Sequence, residues 1–205
     1  VLYRTNAQSR AFEGELRKNN IPYRIYGGTS FYQRKEIKDA LAYFRLAVNP
    51  KDNEALLRAL TFPSRGIGDT TMKKVTLCAI ENNQSYLEVM RHPDDFPLDM
   101  SGPMRKKISA FAAMIDEMAV QSEEMDAFRF AEMLLKQTGL TTALMMDRTV
   151  EGIDRAQNVQ ELLNAIREFV TQRANEGIDY TPITDFLSEV SLMTDQDDNQ
   201  ADTTD

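Results

Sequence analysis

The apolar side chains recur at α-helical spacing along almost the whole chain after Gly28. Ile37, Leu41, Phe44 and Val48 form the first such stripe, and the Asn-Pro pair that follows it ends the helix. Because a helix with one apolar face is stable only when that face is buried, these helices are expected to pack on one another. Further helices are predicted at residues 55–60, 70–81, 104–124, 126–138, 154–176 and 181–193, with a loop-rich stretch at residues 82–100.

The first 28 residues follow a different pattern, in which two short runs rich in aliphatic and aromatic residues flank one amphipathic segment. The runs are Val1-Leu-Tyr-Arg4 and Tyr23-Arg-Ile-Tyr26, and the helix between them is predicted to start at Ala7 with Asn6 as its cap. A strand, a helix and a strand in so short a span predict a right-handed βαβ unit with parallel strands. The predicted fold class is therefore mostly α, with a small parallel βαβ unit followed by an α-helical bundle.

Charge is divided unevenly along the chain, which carries a net charge of −8. Residues 1–75 contain 14 basic and 7 acidic residues, whereas the remainder contains 10 basic and 25 acidic residues. The basic part suggests an anionic partner, and the acidic part suggests a solvated surface. Residues 194–205 include five aspartates and no apolar residue larger than alanine, so this segment is expected to be a disordered, acidic linker.

Several classes of chemistry are excluded by what the sequence lacks. No glycine is followed by lysine, so the phosphate-binding loop G-x-x-x-x-G-K-[ST] is absent. The single cysteine, Cys78, and the single histidine, His92, are too few for a zinc site, a Cys-His nucleophilic pair or a disulfide. One cysteine fits a reducing compartment such as the cytoplasm, and no apolar run is long enough to span a membrane. The chain is therefore not expected to be a complete enzyme.

The first segment that suits ligand binding lies at the carboxyl end of the first predicted strand. Tyr3 offers a ring on which a base can stack, and Arg4 offers a planar, bidentate donor to phosphate. Nucleotides bind beyond the carboxyl ends of strands in α/β sheets, which is the position of this pair. By the pattern alone, Tyr3 in a core and Arg4 in a surface ion pair is the alternative.

The second segment is the turn Arg65-Gly-Ile-Gly68 between two short predicted helices. A helix, a Gly-x-Gly turn and a second helix leave free backbone N–H groups that bind phosphate without reading sequence, as helix-hairpin-helix elements do. Lys73 and Lys74 add positive charge nearby. A glycine-rich connector with no ligand is the alternative.

The third segment is a helix-glycine-helix turn that contains Gly139, Leu140 and Thr142. Considered by itself, it is explained by an ordinary helix end, in which Gly139 adopts the left-handed conformation.

These segments stand in an order that is typical of one family. The chain resembles UvrD/PcrA/Rep-type superfamily-one DNA helicases in four blocks, which are Leu2-Tyr-Arg-Thr-Asn-Ala-Gln-Ser-Arg10, Pro22-Tyr-Arg-Ile-Tyr-Gly-Gly28, Phe31 with Arg34-Lys-Glu-Ile-Lys-Asp39, and Arg65-Gly-Ile-Gly-Asp69. The resemblance implies that residues 1–97 are the first part of the RecA-like motor domain 2A. It implies that residues 98–193 belong to the helical 2B subdomain, with residues 194–205 as a linker.

The resemblance also implies roles for individual residues. Tyr3 would stack on the adenine of ATP, and Arg4 would reach the γ-phosphate as a catalytic residue. The Gly-Leu-x-Thr turn of the 2B subdomain would touch duplex DNA, which favours a functional role for the third segment as well. The DNA-binding residues implied in this way are Arg65, Gly66, Ile67, Gly68, Gly139, Leu140 and Thr142.

The implied function is a part of DNA unwinding and translocation, in repair or replication, by a longer ATP-dependent helicase. The parent protein would use ATP and Mg²⁺, with neither bound by this segment alone, and the segment by itself would be inactive. Its expected partners are single-stranded DNA, duplex junctions, the other motor domains of the same polypeptide and repair proteins, and no membrane. The alternative is a non-enzymatic α-helical module that docks a protein on its acidic bundle.

Overall fold

Helices dominate the part of the chain that the structure describes. The computed structural model describes residues 8–19, 21, 23 and 29–202. Within those residues there are ten α-helices and one short 3-10 helix, so the prediction of a mostly α fold is confirmed. Residues 1–4 and 24–26, which hold almost all of the two predicted strands, lie outside the described residues, and the βαβ unit stays a prediction.

The helices follow one another with short connections. In chain order they are α1 (Ser9–Lys18), the 3-10 helix (Phe31–Gln33), α2 (Lys35–Val48), α3 (Asn53–Thr61), α4 (Asp69–Glu81), α5 (Tyr86–Arg91), α6 (Gly102–Glu124), α7 (Ala127–Gln137), α8 (Leu140–Met146), α9 (Val150–Asn175) and α10 (Ile183–Asp202).

Every helix that periodicity predicts is present, and two helices were not predicted. Helix α5 has six residues and α8 has seven, which is too short for an apolar repeat to become visible. Helix α5 lies within the stretch predicted to be rich in loops, where the hydroxyl of Ser85 accepts a hydrogen bond from the Glu88 amide and caps it. Tertiary burial of Leu87 and Met90, both fully inaccessible, stabilises so short a helix.

The described residues divide into two compact units. The first unit combines the described residues up to Leu41 with those from Asp126 onwards. Helix α7 packs against α8, α9 and α10 in this unit, and the 3-10 helix contacts α1 and α10. Its core includes Phe130 and Leu134 of α7 and Ile166 of α9, all without solvent exposure.

The second unit comprises residues 42–125. Helix α5 is central to it and packs against α3, α4 and α6. Its core includes Tyr43, Met90, Ile108 and Met118, which are fully buried. These units are defined by packing alone, and the boundary between residues 97 and 98, which the family resemblance implies, stays a prediction.

Helix α10 continues to Asp202. The backbone is thus helical in much of the acidic segment at residues 194–205, for which the composition predicts disorder; its role as a linker stays a prediction. None of the helices in the described part of the chain is long and apolar enough to cross a bilayer.

Two helical glycines in the first unit are expected to respond in opposite ways to alanine. A Cβ on Gly152 would lie 2.3 Å from Cγ and 2.4 Å from the carbonyl oxygen of Asp147, whereas a Cβ on Gly14 meets no atom within 4 Å. Gly152→Ala should therefore lower the free energy of unfolding by about 1–3 kcal/mol through overpacking. Gly14→Ala should raise it by about 0.5–1 kcal/mol, because alanine loses less backbone entropy in a helix. Urea denaturation of both variants measures the two signs, and equal shifts would contradict the packing described for Gly152.

Candidate nucleic-acid interface

The turn between α3 and α4 has a backbone that only glycine adopts easily at its second position. Gly66 has φ +63°, in the left-handed region. Its carbonyl oxygen accepts a hydrogen bond of 3.5 Å from the Lys107 ammonium, and a Cβ on Gly66 would lie 2.9 Å from that nitrogen. The turn is therefore closed on one side by a lysine of α6.

Helix α4 begins at this turn without a side-chain cap. Gly68 is its N-cap residue, with φ −90° and ψ 175°, and its carbonyl accepts from the amides of Thr71 at 3.0 Å and Met72 at 3.1 Å. The amides of Asp69 and Thr70 precede the first helical hydrogen bond, and both residues are exposed. Free amides and the positive end of the helix dipole together suit an anion. The carboxylate of Asp69 opposes one, so the site depends on close approach to the amides.

The guanidinium of Arg65 points inward, beneath the turn. It donates a hydrogen bond of 2.9 Å to the hydroxyl of Tyr43, which itself donates to the Ala59 carbonyl at 2.6 Å. The Arg65 guanidinium also lies over two aromatic rings, 5.8 Å from the centroid of Tyr43 and 5.6 Å from that of Phe111. Arg65 thus connects the turn to the core of its unit, a role that its sequence position did not indicate.

Burial separates the four residues predicted in this turn into two kinds. Gly66 and Gly68 are exposed, Arg65 is half-buried, and the Ile67 side chain is buried. The exposed surface of the turn is therefore mostly backbone. Two exposed lysines are close to the turn. Lys73 is near it in the sequence, and the ammonium of Lys107 bonds to the Gly66 carbonyl. Lys74 is bonded to Asp99 through the backbone carbonyl and the carboxylate, and this lowers the pKa of the Asp99 carboxyl group.

The turn between α7 and α8 has the left-handed glycine that the sequence predicts. Gly139 has φ +74° and ψ 8°, and its amide donates to the Lys136 carbonyl at 3.0 Å, which ends α7. Leu140 is fully buried, so its side chain anchors α8 in the core. Its amide lies 3.4 Å from the hydroxyl oxygen of Thr138. Thr142 is exposed in the first turn of α8.

The predicted site residues are distributed over separate parts of the chain. Arg65, Gly66, Ile67 and Gly68 lie together in the second unit, and the residues of the Gly139 turn lie together in the first. Tyr3 and Arg4 lie outside the described residues.

An apolar groove between α8 and α9 was not predicted from the sequence. Its volume is about 560 Å³, and Leu144, Met145, Ile153 and Leu163 are among the residues that line it, with Arg148 at its edge. Met145 and Ile153 are largely exposed. The groove could not be recognised without α8, whose seven residues show no clear repeat.

The whole chain, residues 1–205, matches the family described as "UvrD-like helicase C-terminal domain". The ATP-dependent DNA helicase PcrA of Leuconostoc citreum is 37% identical over 201 residues, which are 97% of this chain and 26% of that protein. The PcrA helicases of Staphylococcus epidermidis RP62A and Staphylococcus aureus Mu50 are each 32% identical over 198 residues, again 97% of this chain and 26% of theirs. The chain spans about a quarter of the length of these curated relatives.

The contacts of the half-buried Arg65 lead to a specific prediction about stability. Arg65→Ala should lower the free energy of unfolding by about 1–3 kcal/mol, because it removes contacts with two rings and a partly buried hydrogen bond. Lys73→Ala, at an exposed site of the same unit, should change it by no more than about 0.5 kcal/mol. Urea midpoints measure both, and an unaffected midpoint in Arg65→Ala would place the guanidinium in solvent.

Proposed function

The chain belongs to the UvrD-like helicase C-terminal domain family, and we propose that within a longer ATP-dependent DNA helicase it supplies one wall of the ATP cleft and two contacts with the DNA backbone. The observation that carries this proposal is the match of residues 1–205, which contain all three candidate segments, to the helicase C-terminal domain family. DNA translocation and unwinding are the proposed work of the whole polypeptide.

The proposed ATP contacts are made by Tyr3 and Arg4. The tyrosine ring would stack on adenine, and the guanidinium would donate to the γ-phosphate oxygens, where charge develops during transfer to water. Among the described residues no cluster of acidic, histidine or cysteine side chains could hold a metal ion.

The proposed contact of the first turn uses backbone amides. The free amides at Asp69 and Thr70 and the bare surface of Gly68 allow a phosphate oxygen to approach closely. Such a contact positions DNA without reading bases, which suits an enzyme that must move along any sequence. Arg65 would act indirectly, because its hydrogen bond to Tyr43 connects the turn to the core of the unit.

The proposed contact of the second turn uses Gly139 and the Thr142 hydroxyl, while buried Leu140 holds the turn on its core. Lys136, one residue before the end of α7, is exposed and adds one positive charge near the turn. Contacts of this kind explain how an acidic part of the chain can meet DNA, because amide and hydroxyl donors do not require a net positive surface.

We further propose that the segment is inactive by itself, since it lacks a phosphate-binding loop with lysine. ATP hydrolysis would need further segments of a longer polypeptide.

The second candidate function is protein docking, and the groove between α8 and α9 favours it. Exposed apolar side chains such as Met145 and Ile153 suit the apolar face of an amphipathic helix, and Arg148 at the edge suits a carboxylate on that helix. Salt distinguishes the two functions, because affinity for DNA falls steeply with salt, whereas apolar helix docking does not.

Replacing Arg4 tests the ATP proposal in the longer helicase polypeptide that carries this segment. Arg4→Ala should reduce ATP turnover on the order of 10³-fold, because the charge on the γ-phosphate is no longer stabilised. The affinity for single-stranded DNA should stay within about two-fold, since the contact proposed for Arg4 is with the nucleotide and not with DNA. Arg129→Ala, at an arginine that is 81% exposed, is the control. Steady-state ATP hydrolysis near the wild-type rate in Arg4→Ala would exclude the role.

Capping the free amides of α4 tests the proposal for the first turn. Gly68→Asp should weaken binding of single-stranded or tailed duplex DNA on the order of ten-fold at low salt, because a carboxylate would occupy the amides and repel phosphate. Stability should change by only a few tenths of a kcal/mol, since aspartate and glycine are similar N-caps.

The matched control for this variant is Ser101→Asp, at the N-terminus of α6, which also lacks a side-chain cap. Fluorescence anisotropy compares the two variants. Equal weakening of DNA binding in both would indicate a general effect of charge, and no weakening in Gly68→Asp would exclude the amide contact.

A further inference from the structure

Four buried polar side chains join segments that are far apart in the sequence of the first unit. The guanidinium of Arg34 donates to Oδ1 of Asn158 at 3.0 Å and to the hydroxyl of Ser9 at 2.6 Å. The amide nitrogen of Asn158 donates to Oε1 of Glu36 at 2.6 Å. All four residues are less than 8% exposed. Helix α9 is thereby bonded both to the start of α2 and, through Arg34, to the start of α1.

A second set of bonds joins α1 to α9 at a partly exposed edge. Arg10, the residue after Ser9, donates to Glu161 at 2.7 Å and to Glu168 at 2.9 Å, and both carboxylates lie on α9. Helix α1 is therefore attached to α9 at two neighbouring positions, one buried and one partly exposed.

Because the bonds among Arg34, Asn158, Ser9 and Glu36 are buried, they favour one arrangement of the helices that carry them. A buried polar group that loses its partner has a large desolvation cost, so the cluster is stable only when every member is bonded. The Asn158 amide accepts with its oxygen from a cation and donates with its nitrogen to a carboxylate, and no apolar side chain can do both. These bonds define one position of α1 relative to α9.

The position of α1 matters because of what precedes it in the sequence. Ser9 follows Arg4 by five residues, and five residues span at most about 18 Å even when fully extended. A shift of α1 would therefore move the point from which the segment with Tyr3 and Arg4 starts. Misplacement of a catalytic group by about 1 Å can reduce a rate on the order of 10²-fold.

We propose that Asn158 is a positioning residue, through which helix α9 holds helix α1 and, with it, the ATP-contacting pair Tyr3 and Arg4. This inference rests on the function proposed for that pair. It assigns to a helix about 150 residues further along the chain a share in the geometry of the ATP cleft. Helix α9 also packs against α7 and α8, which carry the Gly139 turn, so one helix contacts both the support of the ATP pair and a candidate DNA contact.

The first test compares two asparagines of α9 in the longer helicase polypeptide. Asn158→Ala should raise the KM for ATP at least five-fold and lower kcat/KM at least ten-fold, with the affinity for single-stranded DNA unchanged within two-fold. Asn175→Ala is the matched control, because Asn175 is exposed at the last position of α9 and should leave both parameters at the wild-type values. Loss of folded protein alone would lower kcat and leave KM unchanged, so a change of KM separates positioning from simple destabilisation.

The second test restores the bonds with their polarity exchanged. Asn158→Asp keeps an acceptor for Arg34 but places a carboxylate against that of Glu36, so the KM for ATP should rise as in the alanine variant. Adding Glu36→Gln gives the site an amide donor again and returns the charge of the cluster to its original value. The double variant should recover KM to within two-fold of wild type. Hydrogen exchange of the α1 amides should be faster in Asn158→Asp and return to the wild-type rate in the double variant.

The outcomes distinguish failure of this inference from failure of the function proposed above. If Arg4→Ala abolishes turnover while Asn158→Ala and Asn158→Asp retain the wild-type KM, the positioning role is overturned and the ATP role stands. If Arg4→Ala turns over ATP normally, both are overturned. A raised KM that the double variant does not recover would also contradict the proposal, because the effect would then not pass through these bonds.

Discussion

The requirement that buried polar groups be bonded determines how the first unit is put together. Arg34 is buried at a point where segments from both ends of the described chain meet, and it is stable there because Ser9 and Asn158 accept its hydrogen bonds. Apolar burial alone would let the helices slide over one another, since it is not directional. The bonds of Asn158 are directional, and they select one register of α9 against α1 and α2.

A similar use of an arginine organises the second unit. Arg65 lies against two aromatic rings and bonds to the hydroxyl of Tyr43, a fully buried residue whose own hydrogen goes to a backbone carbonyl. Gly66 and Gly68, which follow Arg65, do not contribute to the core, and both are exposed to solvent. The guanidinium of Arg65 therefore supports the turn from inside the unit, and the exposed surface of the turn is mostly backbone.

The two glycine turns therefore differ from a typical basic patch. Each presents the start of a helix, and glycine is the N-cap residue in both. In the proposed role, contacts of this kind would have an advantage, because amide donors bind phosphate without holding one base sequence more tightly than another.

The apolar repeat and the residues that begin and end a helix determined the long helices, because both signals depend only on neighbouring residues. The blocks from Leu2 to Asp69 were also sufficient to identify the family, and the left-handed Gly139 could be predicted because a helix end has a local cause. Helices α5 and α8 and the groove beside α8 could not be predicted, since six or seven residues are stabilised by burial rather than by a repeat. Nor could the sequence tell that Arg65 points inward or that Arg34 meets Asn158, 124 residues away. Only tertiary packing brings partners so distant in the chain together, because it determines which polar groups are removed from water and must form hydrogen bonds with each other.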